Sequence, residues 1–413
     1  MMMNLDFGSK YDGFRDEVKE FCNHYEGVQL TGTLGTLYGH EEIKNSKKQD
    51  LKISIQDWQK ILIEHGYFAR NIPIKYGGYG DELDIVKNVI ITDEFSHAKI
   101  PVATGGQGID FLVPTLLEMG TEEQKNRYIK PALHLDEIWC QGYSEPNAGS
   151  DLASLQTKGI LDGDEWVING QKIWTSTAKY AQMMFCLVRT EPDVPKHQGI
   201  SYLLIPMDTP GIEIRPLVDM TLNAGFNEVF FTNVRIPATN IIGERGQGWL
   251  VANKTLTHER SSLGDPNKMV TRFNKLVELM KNESIDGERI IDKPVFRDRL
   301  MKTQGKVLAL KTHGLRLLSS QLNKEQDVTL GRMIVKLYGT EMRYELESLA
   351  IDVMGELGTL YENSPHLRAA GSWQYAYMYY LGLIIGGGTS QIQKNIISER
   401  GLGLPKEPKY QEA

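Results

Sequence analysis

The residues best suited to chemistry crowd into positions 139–176, which read WCQGYSEPNAGSDLASLQTKGILDGDEWVINGQKIWTS. Pro146, Asn147 and Gly149 break helices and ladders and bend the backbone. A bent backbone frees N–H groups, to which Gln141, Ser144 and Ser150 add side-chain donors and acceptors. Further on come Trp174 and Ser176, an aromatic and a hydroxyl two positions apart. On an extended segment these two share a face. A flat aromatic converging with polar donors suits a flat heterocycle with polar edges. By residue type alone, a turn-rich loop and a core tryptophan explain the same letters.

Order and spacing add more. The block Ser144-Glu145-Pro146-Asn147-Ala148-Gly149-Ser150-Asp151, followed by Lys172-Ile173-Trp174-Thr175-Ser176, resembles the flavin-binding segment of the acyl-CoA dehydrogenase family. Two distant blocks continue the resemblance in the family's order. They are Thr257-His258-Glu259-Arg260, and Gly388-Thr389-Ser390-Gln391-Ile392-Gln393 with NIISERGLGLP after it. The likeness runs over residues 10–405 and is weakest before 60 and in 262–300. It implies FAD as cofactor, with Gln141 and Ser144 at the isoalloxazine and Gly149 and Ser150 at the pyrophosphate turn. Ser150 would also form the CoA-side wall, and Trp174 and Ser176 would meet the ring's far face and N5 edge. Thr389 and Gln391 would lie near the adenosine half.

The family's reaction takes two hydrogens from an acyl thioester, with a carboxylate removing the α-proton. In many members that carboxylate directly precedes the Gly-Thr-Ser motif, within E-G-T-S. Here the position is Gly387. A second branch, which includes isovaleryl-CoA dehydrogenase, carries its glutamate on another helix just before an arginine, where this chain has Glu259-Arg260. The resemblance therefore implies Glu259 as base, and the Gly387 N–H as one donor to the thioester oxygen. Arg260 is the candidate to orient the thioester end. The alternatives are a solvated glutamate and a structural ion pair. His258 reads as a packed or exposed histidine, since helix neighbours point apart. Losing a side chain at 387 favours a branched or bulky acyl group, as in relatives with a G-G-T-S ending that act on steroid side chains. The motifs that clasp the adenine end in the family are not kept: the Phe-Gly pair falls on Ile291-Asp292, and the glutamine motif on 352–356.

These blocks need elements to position them. Up to about 135 the chain reads as helices over 11–25, 55–65, 85–98 and 111–119. Ser54 and Thr121 are candidate caps. Short β-rich runs follow at 159–161, 166–168, 184–188, 200–205 and 228–231, with turns expected at Asp162-Gly163-Asp164 and Asn169-Gly170. Long helical periods return at 296–323, 327–352 and 371–385. The expectation is an α+β multidomain chain: an N-terminal helical domain (1–136), a middle β-barrel or sandwich (137–247) and a C-terminal helical bundle (248–413).

Composition narrows the function classes. With 413 residues, 41 % of them hydrophobic, the chain has material for two or three cores. A net charge of −7 without a basic run argues against nucleic acid. The apolar runs are too short to span a membrane, and the first residues carry no targeting signal. Three scattered cysteines indicate neither disulfides nor a metal site, which suits a cytoplasmic setting. The resemblance further implies an acyl-CoA substrate, an electron-transfer flavoprotein as acceptor, and a homotetramer or homodimer. Competing readings are a flavin oxidase or monooxygenase of the same fold, and a non-catalytic subunit of a heteromeric enzyme. Slow reoxidation by air would exclude the former; a yellow, active chain purified alone would exclude the latter.

Overall fold

The computed structural model describes residues 8–32, 51–263, 266–322, 329–361, 364–406 and 408, without the side chains of 259–263, 321, 322 and 329. The described chain forms two compact units. One runs to His258 without Met220–Asn223; the other holds Met220–Asn223 and everything from Glu259 on.

The first unit opens with α1 (Asp12–His24), the short parallel pair β1 (Gln29–Thr31) and β2 (Lys52–Ser54), α2 (Ile55–Glu64) and α3 (Ile85–Ala98). Ser54 caps α2, its Oγ accepting the Asp57 N–H at 3.0 Å. Asp84 caps α3 by accepting from Val86 and Lys87. After α4 (Val113–Met119), Thr121 and Gln124 close a reciprocal capping box on α5 (Glu122–Leu133).

The eight strands that follow are β3 (Trp139–Gly142), β4 (Lys158–Asp162), β5 (Glu165–Lys172), β6 (Met183–Arg189), β7 (Ile200–Pro206), β8 (Ile212–Leu217), β9 (Phe226–Pro237) and β10 (Ile241–Ile242). They make one sheet in the order β10-β7-β6-β4-β5-β9-β8, with β3 also paired to β6. The path has two ends, so the sheet does not close on itself. β6 reads MMFCLVR without a polar break because both its faces are covered. Met184, Cys186 and Val188 join a core inside the sheet with Trp166, Ile168, Leu203 and Val234. Met183, Phe185 and Leu187 face the other way and pack with Leu112, Leu116 and Ile129 of the helical layer and with Trp139 of β3.

Asn169-Gly170 departs from the turn expected of it. It lies inside β5 as a bulge, where the pairing to β9 shifts between Ile168 and Gly170. Gly170 has φ +152°, and a Cβ there would sit 2.5 Å from Thr157 Oγ1. The Asn169 amide is spent on Asn233, 64 residues away, so a neighbouring strand claims a pair that locally favours a hairpin.

α6 (Gly248–Leu263) begins in this first unit. The second unit comprises α7 (Pro266–Asn282), α8 (Pro294–Leu322), α9 (Thr329–Met354), α10 (Ser372–Ile385) and α11 (Ser390–Ile396). Its core joins Phe273, Leu276, Leu310, Leu346, Leu349 and Trp373. A buried Arg272–Glu347 pair, bonded at 2.8 and 2.7 Å, ties α7 to α9. The same guanidinium stacks 3.6 Å over Trp373 of α10.

Candidate active site

The 143–151 turn is anchored from below by a buried charge pair. Lys172, at the end of β5, is fully buried, and its Nζ donates to Glu145 Oε1 at 2.7 Å and to the Tyr143 carbonyl at 3.2 Å. The same carboxylate accepts the Gln156 N–H at 2.6 Å and the Thr157 N–H at 2.9 Å. Burial pushes the Glu145 carboxyl up, but the Lys172 ammonium and these donors outweigh it and hold it below the ordinary carboxylate value. Above this anchor, Glu145 and Ala148 exchange two backbone hydrogen bonds of 3.0 Å. That leaves Pro146, Asn147, Gly149 and Ser150 exposed at the tip, with Gln141 and Ser144 half-buried at its base. Reading the sequence by motif singled out the tip and passed over Glu145 and Lys172. The available signal was a pair of charges inside otherwise turn-forming and apolar blocks.

The Ile173 N–H donates to the Ser144 carbonyl at 2.9 Å, which brings the second block against the first. Trp174 and Ser176 do not lie on an extended strand, as the sequence suggested. β5 ends at Lys172, and Trp174 and Thr177 have φ of +59° and +61°. The edge is set instead by β9: the Thr175 N–H donates to the Asn227 carbonyl and the Asn227 side-chain amide donates back to the Thr175 carbonyl, at 3.0 and 2.9 Å. These bonds turn the Trp174 indole outward. It is 58 % exposed, steadied edge-on by Phe226, and so is not a core tryptophan. Ser176 is half-buried beside it. Beneath, Thr175 Oγ1 and Asn227 Oδ1 are buried without a hydrogen-bond partner among the described residues. Buried polar atoms of this kind call for one.

In the helical unit, the turn Gly386–Gly388 links α10 to α11. Gly387 and Gly388 have φ of +64° and +93°, where a side chain is strained. A Cβ on Gly388 would also meet Gln393 Nε2 at 2.7 Å. Backbone geometry thus favours glycine at 387 and, with the Gln393 contact, more strongly at 388, whereas Gly386 has φ −61° and no such need. Gln393 Nε2 donates to the Gly387 carbonyl at 2.8 Å. Thr389 caps α11, its hydroxyl accepting the Ile392 N–H, and Gln391 is exposed on that helix. The fully buried Lys336 of α9 donates to the Gly388 carbonyl, a contact that motif reading missed.

Glu259 and Arg260 lie on α6, with side chains outside the described residues. Earlier on the same helix lie Ala252 and Thr255. Both are fully buried. The Thr255 hydroxyl meets Thr115 Oγ1 at 3.0 Å and Tyr202 Oη at 3.3 Å, which sets how α6 is rotated. Thr257 is exposed, its hydroxyl donating to the Asn253 carbonyl. His258 Nε2 sits 3.1 Å from Glu118 Oε1 near the surface. Where the family's adenine clasp would fall, Arg289 pairs with Asp292 and Arg299 with Asp352.

Comparison with known proteins supplies the wider context. Residues 39–136, 140–234 and 246–402 match the models of the acyl-CoA dehydrogenase N-terminal, middle and C-terminal domains. The chain is 39 % identical over 364 residues to acyl-CoA dehydrogenase IpdE1 of Mycolicibacterium smegmatis, covering 85 % of this chain and 88 % of that one. Among solved structures, it is similar to the Tcur3481-Tcur3483 steroid ACAD, at 27 % identity and TM-score 0.78, over 98 % of this chain and 100 % of that one. It is equally similar to the ChsE4-ChsE5 complex of Mycobacterium tuberculosis, at 30 % identity and TM-score 0.78, over 98 % and 100 %.

Proposed function

The chain belongs to the acyl-CoA dehydrogenase family, and on that premise we propose that Glu259 is the base that removes the α-proton of a bulky acyl-CoA thioester. The observation that carries this is Gly387. The usual place of the base holds no side chain, and its backbone is in a conformation that disfavours one. The flavin-type turn at 141–176 is meanwhile fully built. A family member that keeps the turn and loses the base at 387 needs a carboxylate elsewhere. Glu259, directly before Arg260 on α6, is the candidate that the sequence offers.

The family is generally FAD-dependent, and the residues here suit that group. An outward indole, two unpartnered buried polar atoms below it and an exposed glycine-serine tip are what a flat ring with a polar edge and a pyrophosphate require. Gln141, Ser144, Trp174 and Ser176 would hold the ring, Gly149 and Ser150 the pyrophosphate, and Thr389 and Gln391 the adenosine half. The chemistry FAD supplies when bound is acceptance of the β-hydrogen as hydride. The protein's own part is to take the α-proton at Glu259 and to grip the thioester oxygen with the Gly387 N–H. Arg260 orients the thioester end, and Ser150 walls the CoA side. Such a donor is worth ~3–4 kcal/mol of barrier. Electrons then pass to an electron-transfer flavoprotein. The Tcur3481-Tcur3483 relative is a steroid ACAD, which supports a steroid-like acyl group here.

The test is anaerobic flavin bleaching against a panel of straight, branched and steroidal acyl-CoAs, with wild type and Glu259→Gln. The variant should stay yellow, bind thioester and bleach ~10²–10⁴-fold more slowly. Bleaching at the wild-type rate would place the base elsewhere. A second reading, a subunit of a two-chain enzyme, is favoured by the paired chains named for both solved relatives. Purification settles it: a yellow, active homo-oligomer supports a self-sufficient chain, and a colourless or insoluble one supports a missing partner chain.

A further inference from the structure

Three consecutive glycines are the least restrained backbone a chain can offer, since each loses more conformational freedom on ordering than any other residue. A turn of that composition is a poor place to hold an oxyanion donor unless something outside it fixes its shape. The geometry points to Lys336 as the positioning residue that does so. This rests on the reading of Gly387 as a grip on the thioester oxygen.

Lys336 is wholly buried on α9, a rare state for a lysine. Its Nζ is not merely the end of a packed stem. It donates to the Gly388 carbonyl at 2.6 Å and to the Ile384 carbonyl at 3.3 Å. Ile384 is in the last turn of α10, where carbonyls lack helical partners and a cation is favoured. One ammonium therefore bridges the end of α10 to the far side of the glycine turn. Gln393 takes the carbonyl between them, that of Gly387. In a planar trans peptide the carbonyl and N–H point in opposite directions. Drawing the Gly387 and Gly388 carbonyls towards Gln393 and Lys336 thus turns the Gly388 and Thr389 N–H groups the other way, and the Gly387 N–H, one peptide earlier, is held between that fixed peptide and the Gly386 N–H, which donates to the Gly382 carbonyl at 2.8 Å. Among the described residues, the Gly387 and Gly388 N–H groups have no protein acceptor. The turn is held by its carbonyls, and its amides are left for a ligand oxygen.

The experiment compares Lys336→Met, which keeps the stem and loses the charge, Lys336→Gln, which keeps a donor, and Lys336→Arg. Each is measured for flavin content, acyl-CoA half-saturation, single-turnover bleaching rate and amide hydrogen exchange in the peptide covering 384–393. A misplacement of about 1 Å costs of order 10²-fold in rate. Lys336→Met should therefore bleach ~10²-fold more slowly with half-saturation within about threefold of wild type and faster exchange in that peptide. Lys336→Arg should recover part of the rate. If Lys336→Met does not fold, Lys336→Gln carries the same comparison. A yellow Lys336→Met enzyme that bleaches within threefold of wild type overturns the inference. So does a parallel loss of flavin, affinity and rate in all three variants, which is what a purely structural lysine would give. Wild type that bleaches with no acyl-CoA overturns the parent reading and this one with it, whereas failure confined to the variants' rates leaves the parent reading standing.

Discussion

Two buried lysines, one in each unit, hold the two turns on which the proposed chemistry depends, and they do it differently. Lys172 answers to a carboxylate: Glu145 lies 2.7 Å away and passes the restraint on to the Gln156 and Thr157 amides. Lys336 reaches the main chain of the glycine turn directly through two carbonyls. The first turn carries a proline, Pro146, and polar side chains that shape it locally, so its anchor need only fasten the base. The second has no side chains of its own between Gly386 and Gly388, and its anchor must hold the carbonyls themselves. A charge pair is the stiffer device and also the more fragile, because removing one partner strands the other in a dry interior.

That difference fixes an order of effects. Lys172→Met should be the most damaging, about 3–5 kcal/mol in chemical denaturation, since it leaves Glu145 buried and unpaired. The double variant Lys172→Met with Glu145→Gln should recover about 2 kcal/mol of that loss, because the stranded charge is gone. If the double variant is as unstable as the single, the pair is not what anchors the turn.

The same pair sets a pH dependence. Glu145 has a folded pKa held below its unfolded value. Its contribution is therefore fully present above the unfolded carboxylate pKa of about 4.3 and is lost as pH falls through the folded one. Urea melts at descending pH should show wild type losing, below about pH 4, an advantage over Glu145→Gln that it holds at pH 7. Parallel curves would remove the charge from the account.

Lys336→Met should cost less than Lys172→Met, about 2–3 kcal/mol, because it deletes donors without baring a charge on its carbonyl partners. An equal or larger loss would make the two anchors alike. Gly388→Ala should cost about 1–3 kcal/mol through its left-handed backbone and the Gln393 amide in its way. The smallest effect expected is none at all. Cys140 and Cys186 lie beneath the first turn, fully buried, the thiol of Cys186 pushed up to about 11 by burial and that of Cys140 well above its usual value. At pH 8 mass spectrometry after iodoacetamide should find both unmodified, and rapid labelling would mean the base of that turn opens.

Much of this was legible in the sequence because it is local. Ser54 and Thr121 cap helices with partners three residues away, the long 3.6-residue periods expected over 296–323 and 371–385 became α8 as far as Leu322, with 323 outside the described residues, and α10, and the motif blocks marked the acyl-CoA dehydrogenase family. Other features depended on partners far along the chain. Asn169-Gly170 reads as a hairpin turn until Asn233 claims it for a bulge. Trp174 reads as a strand residue until Asn227 sets the edge that turns it outward.

By itself the sequence determined where the helices capped by Ser54 and Thr121 begin, that a β-rich stretch separates two helical ones, and that position 387 carries no carboxyl group. The tertiary structure decided that Glu145 and Lys172, 27 residues apart, are an anchor, and that Lys336 closes on a turn 52 residues away. Caps and periodicities are written in bonds that span a few residues. A lysine in a string shows its charge but not the interior that will surround it, and only folding decides whether that charge meets water, a carboxylate or the carbonyls of a glycine turn.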